Sequence, residues 1–471
     1  GGGFKLLTSG RVQGPALKLI VEKEKEIQAF IPDPYWMIQL LGNKDDDKIE
    51  AWHVKDKIFD KSDAEKIFKT VKGEKEATVT KIESRQFKQA PPTPFDLTTL
   101  QTEAHKCLGI APKQTMYLAQ QLYTNQYISY PRTSSQKLPA KLGFKKILTD
   151  LKKQPDYELF CDELLAKKDL VPNEGKKTDD AHPAIFPTGV KIKKNLNPQE
   201  KRLYDLIVKR FFAVFGEPAV RETNKATLDV KGEGFLLEGS RTVEENWHHF
   251  YHPYVKLKEV ELPPIKEKDV VDVKKIIKLD KETTPPKRYT ESSIIRALEK
   301  ENLGTKATRA TIVDTLFNRG YVKGKSIQAT ELGMQTVDTL EKHCPLILDQ
   351  QMTRHFEEEM ENIRLKGKKE EDVIKDAKKT VEKITTAFKK QEDVIGKELA
   401  EAESKSYRTA NLLGKCQSCD GELMIKKSKF GKFVGCSGYP DCTATYGLPN
   451  QGDIRPTDIE CDECGHPVIC L

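Results

Sequence analysis

Tyr127-Ile128-Ser129-Tyr130-Pro131-Arg132-Thr133-Ser134-Ser135 is the stretch from which the rest of the chain can be read. Pro131 biases the residue before it away from the helical region, so Tyr130 is expected on an extended segment. Side chains two apart on such a segment point the same way, which sets a phenol beside the Arg132 guanidinium. Thr133, Ser134 and Ser135 add hydroxyls and predict a helix N-cap just after. A phenol is a poor nucleophile at neutral pH, with a reference pKa of about 10. A neighbouring Arg favours the phenolate, and its planar fork of donors suits a phosphate. That combination is what attack of a tyrosine on a phosphodiester needs. The stretch also reads as a loop with a structural Tyr and a surface Arg, and taken alone it leaves both readings open.

The 471 residues around it leave room for roughly three or four domains. A hydrophobic fraction of 37% and a charged fraction of 32% fit a soluble, Lys- and Glu-rich globular protein. No run approaches the ~18 apolar residues of a membrane helix, and no secretory signal opens the chain. The net charge of +7 permits a nucleic-acid partner without announcing one, because 72 acidic residues offset 79 basic ones. Seven of the ten cysteines follow residue 415, which points to metal binding in a reducing compartment rather than to disulfides. Cys107, Cys161 and Cys344 stand alone and read as ordinary half-buried cysteines. The opening Gly1-Gly2-Gly3-Phe4 and the close at Leu471, one residue after Cys470, read as cut ends.

Going outward from Tyr130, Leu97, Leu100, Ala104 and Leu108, then Met116, Leu118, Ala119 and Leu122, predict two helices leading into it. Residues 143–170 read as continuing helix, and Leu203–Phe215 as another. Between them, residues 173–188 form a polar loop carrying Asp179-Asp180-Ala181-His182-Pro183. Short strands with charged turns are expected over 35–83 and again over 219–273. The natural reading is one β domain whose chain leaves at about 90, forms an inserted helical domain, and returns at about 206. Pro91-Pro92-Thr93-Pro94 marks the exit. Upstream, an amphipathic helix begins near Pro15 and is ended by Pro32-Asp33-Pro34. Asp45-Asp46-Asp47 reads as a solvated turn.

Residues 290–321 read as helix–turn–helix, with Thr290 and Ser292 capping the first helix and Leu303-Gly304-Thr305 turning. Thr305-Lys306-Ala307-Thr308-Arg309 displays hydroxyls and cations where a helix N-terminus can bind phosphate. A packed helix pair with a solvated basic turn is the equal alternative. The charged stretch from about 350 to 404 reads as a largely solvated helix. Cys416-x2-Cys419 and, after sixteen intervening residues, Cys436-x5-Cys442 read as a four-thiolate zinc ribbon. Lys426, Lys427, Lys429, Phe430, Phe433 and Tyr439 on it suit stacking and phosphate contact with a single strand. Cys461-x2-Cys464 begins a second such module that stops short, unless His466 and Cys470 complete it.

With Ser9-Gly10-Arg11-Val12-Gln13, Tyr130-Pro131-Arg132-Thr133, Asp180-Ala181-His182-Pro183-Ala184-Ile185-Phe186-Pro187-Thr188 and Thr305-Lys306-Ala307-Thr308-Arg309-Ala310 in this order, the chain resembles the type IA DNA topoisomerases, their archaeal form above all. The resemblance covers essentially the whole chain. It implies a multidomain α+β fold, a toroidal core of helical domains joined by a β-rich arch, with a C-terminal zinc ribbon. The chain then divides into 1–34 and 283–404 (the two parts of a helical DNA-cleft domain), 35–90 and 206–282 (the arch), 91–205 (the helical domain with the nucleophile), 405–450 (the ribbon) and 451–471 (a truncated second ribbon).

The resemblance also implies a function: ATP-independent cleavage of one DNA strand, passage of another through the gap, and religation, relaxing negatively supercoiled DNA. Tyr130 would take the 5′-phosphate, with Arg132 positioning it and His182 stabilising charge. Arg11, with Thr8, Ser9, Gly10, Val12 and Gln13, would hold DNA, as would Thr305, Lys306, Thr308 and Arg309. Zn2+ would sit on Cys416, Cys419, Cys436 and Cys442, and on Cys461 and Cys464. Single-stranded and negatively supercoiled DNA are the implied partners, and the implied protein is a cytoplasmic, nucleoid-associated monomer. One departure stands out. The family places a Toprim domain, with an early Glu and an Asp-x-Asp-x-Glu cluster for Mg2+, ahead of the Ser-Gly-Arg-Val-Gln motif. No such cluster occurs in this sequence. The expectation is therefore that these residues bind single-stranded DNA but do not complete a relaxation cycle alone. A tyrosine recombinase would gather Arg and His ahead of a late tyrosine, whereas Tyr130 precedes His182. A non-catalytic zinc-ribbon and helix–turn–helix DNA-binding protein would explain 290–321 and 416–442 but leave Tyr130 and Arg11 as coincidences.

Overall fold

In the computed structural model of the chain, residues 10–193, 195–365, 367–449 and 454–470 are described. Thr8 and Ser9 of the expected DNA-binding set lie outside them. Two compact units emerge, one comprising Lys25–Lys300 with Thr305–Thr311 and the other the remainder of the chain.

The first unit is founded on six strands: β1 (Pro34–Lys44), β2 (Asp47–His53), β3 (Glu76–Gln89), β4 (Ala219–Val230), β5 (Glu233–Glu244) and β6 (Val270–Glu282). They close into a barrel in the order β1-β2-β5-β4-β3-β6, with antiparallel neighbours throughout. Alternation decides which face is inside. Ile49 and Ala51 on β2, Ala77 and Val79 on β3, and Ala226 and Leu228 on β4 point to one core that also holds Phe235. Closure leaves no strand edge to pair with another chain. The last pair of the β3–β4 ladder is Gln89 with Ala219. The intervening helical block therefore leaves and returns at adjacent points of the same hairpin.

The span over 35–83 is not all strand: Lys61–Val71 is a helix. Asp60 caps it by accepting from the Asp63 amide, and Ala64, Ile67 and Val71 bury against the barrel. Only four apolar residues, Ala64, Ile67, Phe68 and Val71, in a Lys-rich window carry its helical period, which is why the strand reading absorbed it.

In the inserted block, helices run over Leu97–Leu108 and Pro112–Thr124. Asp96 and Thr99 form a capping box at the first, and Pro112 opens the second. The helix expected over 143–170 is broken into Phe144–Leu151 and Glu158–Leu165, with a 3-10 turn at Pro155–Tyr157 between them. Pro155 lacks the amide a continuing helix needs. Helix Pro198–Ala213, boxed by Asn197 and Glu200, lies at the centre of this core, with Leu203, Tyr204, Ile207 and Phe212 all essentially inaccessible.

In the second unit, the charged stretch is three helices, Gln350–Arg364, Glu370–Lys390 and Glu392–Asn411. Few of their side chains are buried, Val373, Ile395 and Ala402 among them. Gly14 near the start of helix Gln13–Gln28 is required by contact: a Cβ there would lie 2.5 Å from the Ile347 carbonyl oxygen. Strands Leu412–Lys415, Glu422–Ser428, Gly431–Cys436 and Thr445–Gly447 form the ribbon's antiparallel sheet. No helix among the described residues is long and apolar enough to cross a membrane.

Candidate active site and thiolate centre

The segment after Tyr130 is not a capped helix. Residues 131–139 are irregular, and the next helical turn is Ala140–Leu142. The hydroxyls expected to cap fold the loop instead. The Ser135 amide donates to Thr133 Oγ1 at 3.0 Å and the Lys137 amide to Ser135 Oγ at 3.1 Å. Thr133 Oγ1 in turn donates to the His182 carbonyl at 3.2 Å, and the Thr133 carbonyl accepts from the Leu97 amide at 3.0 Å. Small hydroxyls thus tie the loop to the 173–188 segment and to a helix start.

A short ladder brings His182 to Tyr130. Ser129 donates its amide to Phe186 at 2.9 Å and accepts the Phe186 amide on Oγ at 3.0 Å, while the Thr188 amide donates to the Tyr127 carbonyl. Ile185 bridges to Phe95 on the other side. Two segments some fifty residues apart are thereby fixed in register. The Tyr130 and His182 rings lie 4.5 Å apart between centroids, tilted by 50°, and Tyr123 meets Tyr130 edge-on at 5.2 Å. Tyr130 and Arg132 are both half-buried. Arg132 Nε is out of reach of solvent and has no hydrogen-bond partner among the described residues. An unsatisfied buried donor costs about 1–3 kcal/mol, so a guanidinium held this way favours an incoming acceptor.

The 305–309 turn reaches the same neighbourhood. Thr305 and Thr308 cap it, the Thr305 amide donating to Thr308 Oγ1 at 3.0 Å. Lys306 Nζ donates to the Asp179 carboxylate, whose side chain is only 8% exposed. Burial alone would raise the Asp179 pKa, but hydrogen bonds from Lys306 and from the Ser134 and Ala181 amides hold it well below the usual carboxylate range. The nearly buried Arg309 faces Glu299 at 3.5 Å, and Lys177 joins Glu299 at 2.8 Å to the Asp96 cap at 3.2 Å. Lys306 and Arg309, expected as phosphate ligands, are thus paired with acids of the protein. The sequence reading assigned nothing to Asp179, Glu299 or Lys177. The single available signal was an acid next to the His182 motif.

In the second unit, Arg11 Nη2 donates to the largely covered Glu357 carboxylate at 2.8 Å, and Thr353 Oγ1 donates to the Arg11 carbonyl at 2.8 Å. Arg11 Nη1 and Gln13 Oε1 are buried without a partner among the described residues. Gly10 lies beside the Gln13 side chain that starts the helix, and Val12 is buried.

Cys416, Cys419, Cys436 and Cys442 bring their four Sγ atoms within 4.8 Å of one another. Cys416 and Cys442 are 3.9 Å apart, and Cys419 and Cys436 3.4 Å. Amides of Ser418, Gly421 and Gly438 donate to Cys416, Cys419 and Cys436 at 3.3–3.4 Å, stabilising thiolates. Four thiolates about 2.3 Å from a tetrahedral ion need this spacing. Cys461 and Cys464 lie on the turn before Pro467–Cys470 and belong to no group of three or more candidate ligands among the described residues. His466, which could have joined them, accepts or donates at Nε2 with the Tyr446 hydroxyl at 3.0 Å.

Residues 2–375 match the family model described as DNA topoisomerase. The chain belongs to the type IA DNA topoisomerase family. Residues 413–451 match the model of the topoisomerase DNA binding C4 zinc finger, which spans the four clustered cysteines. DNA topoisomerase 1 of Methanocaldococcus jannaschii is 45% identical over 99% of this chain, and that of Pyrococcus horikoshii 44% identical over all of it. The chain spans 61% and 69% of those two relatives' lengths. Full-length topoisomerase I from Thermotoga maritima superposes with a TM-score of 0.62 at 26% identity, covering 96% of this chain and 73% of that one. The type IA fold class and the C-terminal ribbon expected from the sequence are therefore those of the protein.

Proposed function

We propose that this chain carries the nucleophile and DNA-holding parts of a type IA topoisomerase, which cuts one strand of negatively supercoiled DNA, passes another through, and reseals it. The observation that carries the reading is the ring contact of a half-exposed Tyr130 phenol with His182, two residues before a guanidinium whose buried Nε has no hydrogen-bond partner among the described residues. Tyr130 Oη attacks the phosphorus of a backbone phosphodiester, and the 3′ oxygen leaves with a proton. A 5′-phosphotyrosine remains that conserves the bond energy, so resealing by the 3′-hydroxyl needs no nucleotide. Arg132 and His182 donate to the phosphate oxygens as charge builds in the transition state. Arg11, with the Gly10–Gln13 turn, and the hydroxyls of Thr305 and Thr308 contact the DNA backbone, while Lys306 and Arg309 stay paired with Asp179 and Glu299.

Zn2+ is the ion that the Cys416, Cys419, Cys436 and Cys442 thiolates suit, and it would hold the ribbon's fold. Phe430, 81% exposed with Lys429 Nζ 4.8 Å from its ring centroid, offers a base-stacking face. Magnesium, which the family uses, finds no carboxylate cluster around Tyr130: Asp179 is engaged by Lys306, and the only group of three or more candidate ligands among the described residues is the four cysteines. The protein acts as a monomer in the cytoplasm, on nucleoid DNA.

The test is covalent trapping on an end-labelled single-stranded oligonucleotide with magnesium, with and without a separately made Toprim domain, resolved in denaturant. A labelled protein band that disappears in Tyr130→Phe is expected, together with dependence on the added domain. Tight binding with no band under any condition would instead favour the non-catalytic DNA-binding reading.

A further inference from the structure

One carboxylate in the first unit joins three motif segments. Asp179 Oδ1 accepts from the Ala181 amide at 3.1 Å and the His182 amide at 3.3 Å. Its Oδ2 accepts from the Ser134 amide and hydroxyl, both at 3.2 Å, and from Lys306 Nζ. Five donors from the Tyr130 loop, the His182 loop and the 305–309 turn thus converge on two oxygens. The carboxylate is more than nine-tenths buried, whereas Lys306 remains one-third exposed.

We propose that Asp179 is a positioning residue for the Tyr130 centre: it fixes the His182 loop against Tyr130 and withholds Lys306 from DNA. The inference rests on the functional reading above and deepens it. A carboxylate suits the position because it is acceptor-only on both oxygens. Asparagine would aim an NH2 group either at the Ser134 amide and the Lys306 ammonium or at the Ala181 and His182 amides, so one half of the clamp must open. A buried ion pair that served stability alone would have no reason to gather the amide of His182 itself and the residue two beyond Arg132. Geometry at a reacting centre is sensitive to such anchoring: a displacement of about 1 Å costs about 100-fold in rate. Lys306 acts differently. Released from Asp179, it becomes one more cation for the DNA backbone.

The experiment compares the unaltered chain with Asp179→Asn, His182→Ala, Lys306→Met and the doubles Asp179→Asn/His182→Ala and Asp179→Asn/Lys306→Met. Single-turnover adduct formation, with magnesium and the separately made Toprim domain present, and the salt dependence of binding to a single-stranded oligonucleotide are read separately. Asp179→Asn is expected to slow adduct formation about 100-fold without weakening binding. Its log–log salt slope is expected to steepen by about 0.7, the increment for one further phosphate contact on a single strand. On the His182→Ala background the rate effect should largely vanish, and on the Lys306→Met background the slope should not steepen. Adduct formation within about threefold of the unaltered chain, additive effects with His182→Ala, or an unchanged slope would each overturn the proposal. Should Asp179→Asn lose its cooperative thermal transition, Asp179→Glu takes its place. It keeps the charge but displaces it by one methylene, and slower adduct formation with unchanged binding is expected; an unchanged rate overturns the proposal. An unaltered chain that forms no adduct even with the Toprim domain and magnesium added fells the functional reading and this inference together. An active chain indifferent to Asp179 fells the inference alone.

Discussion

The Tyr130 centre and the four-cysteine ribbon are both assembled from short irregular segments, yet different things hold them. Around Tyr130 the order comes from the protein. A ladder through Ser129 and Phe186, the Thr133 hydroxyl on the His182 carbonyl, and the Asp179 clamp all rest on a large core built around Tyr204 and Phe212. The ribbon has a much smaller core, chiefly Leu413, Leu423, Ile425, Val434 and Ile454, and its four thiolates sit within a few ångströms of one another. So few apolar residues cannot offset the entropy of ordering the segment, and an ion must supply the difference. The difference teaches where preorganisation resides: in the chain around Tyr130, and at the ribbon in the Zn2+ proposed for its four thiolates.

The sharpest way to break the comparison is at the proposed nucleophile. Tyr130→Phe removes one oxygen but keeps the ring that meets Tyr123 and His182. Covalent adduct should fall to background in the trapping assay, with thermal stability and single-strand binding unchanged. Residual adduct at a normal rate would mean that another residue is the nucleophile. The next largest effect is at the ribbon. Chelation, or Cys436→Ser, should unfold residues 412–449 locally, since structural zinc in small modules supplies apparent binding energies of about 10–16 kcal/mol near neutral pH. Hydrogen exchange should then show protection lost in the ribbon strands and retained in Leu97–Leu108 and Pro198–Ala213. Loss in both regions would deny that the first unit is ordered by its own core.

The same contrast governs what could be read in advance. The ribbon is local: the spacing of four cysteines within 27 residues is a complete statement of a tetrahedral site, and it was legible. The Tyr130 centre is distributed over residues 96, 130–135, 179–188 and 299–306, and no local period relates them. Its motifs were recognisable through the family, but the acid that ties them together was not. Asp179 looked like any acid in a polar loop until Ser134 and Lys306 were brought to it. Local propensity also misled where hydroxyls were concerned. Thr133, Ser134 and Ser135 have the composition of an N-cap, and tertiary partners used them to brace a loop instead. Helix Lys61–Val71 was missed for a related reason, because its apolar face is just four residues and only the barrel makes it a face.

A smaller perturbation asks whether the first unit's order reaches beyond its helical block. Phe235 is wholly buried in the barrel, with its ring edge-to-face to His53 at 5.4 Å. Phe235→Ala should cost about 3–5 kcal/mol in denaturant unfolding of that unit. The ribbon's thiols should stay as slow to react as before. A cost under about 1 kcal/mol would mean that the barrel core closes readily over the gap.

The smallest expected effect separates the two regions by function rather than by stability. Phe430 sits at the tip between ribbon strands Glu422–Ser428 and Gly431–Cys436, 81% exposed, and buries almost nothing in the fold. Its loss should therefore leave the ribbon folded and metal-bound. If its ring stacks on a base, Phe430→Ala weakens single-strand binding by about 1–3 kcal/mol, a factor of five or more, with little change in the salt slope because no phosphate contact is lost. Adduct formation at saturating oligonucleotide should be unchanged, since the Tyr130 centre carries its own order. A slower step at saturation would make the ribbon part of the reacting geometry. Unchanged affinity would mean that the exposed ring serves some other contact.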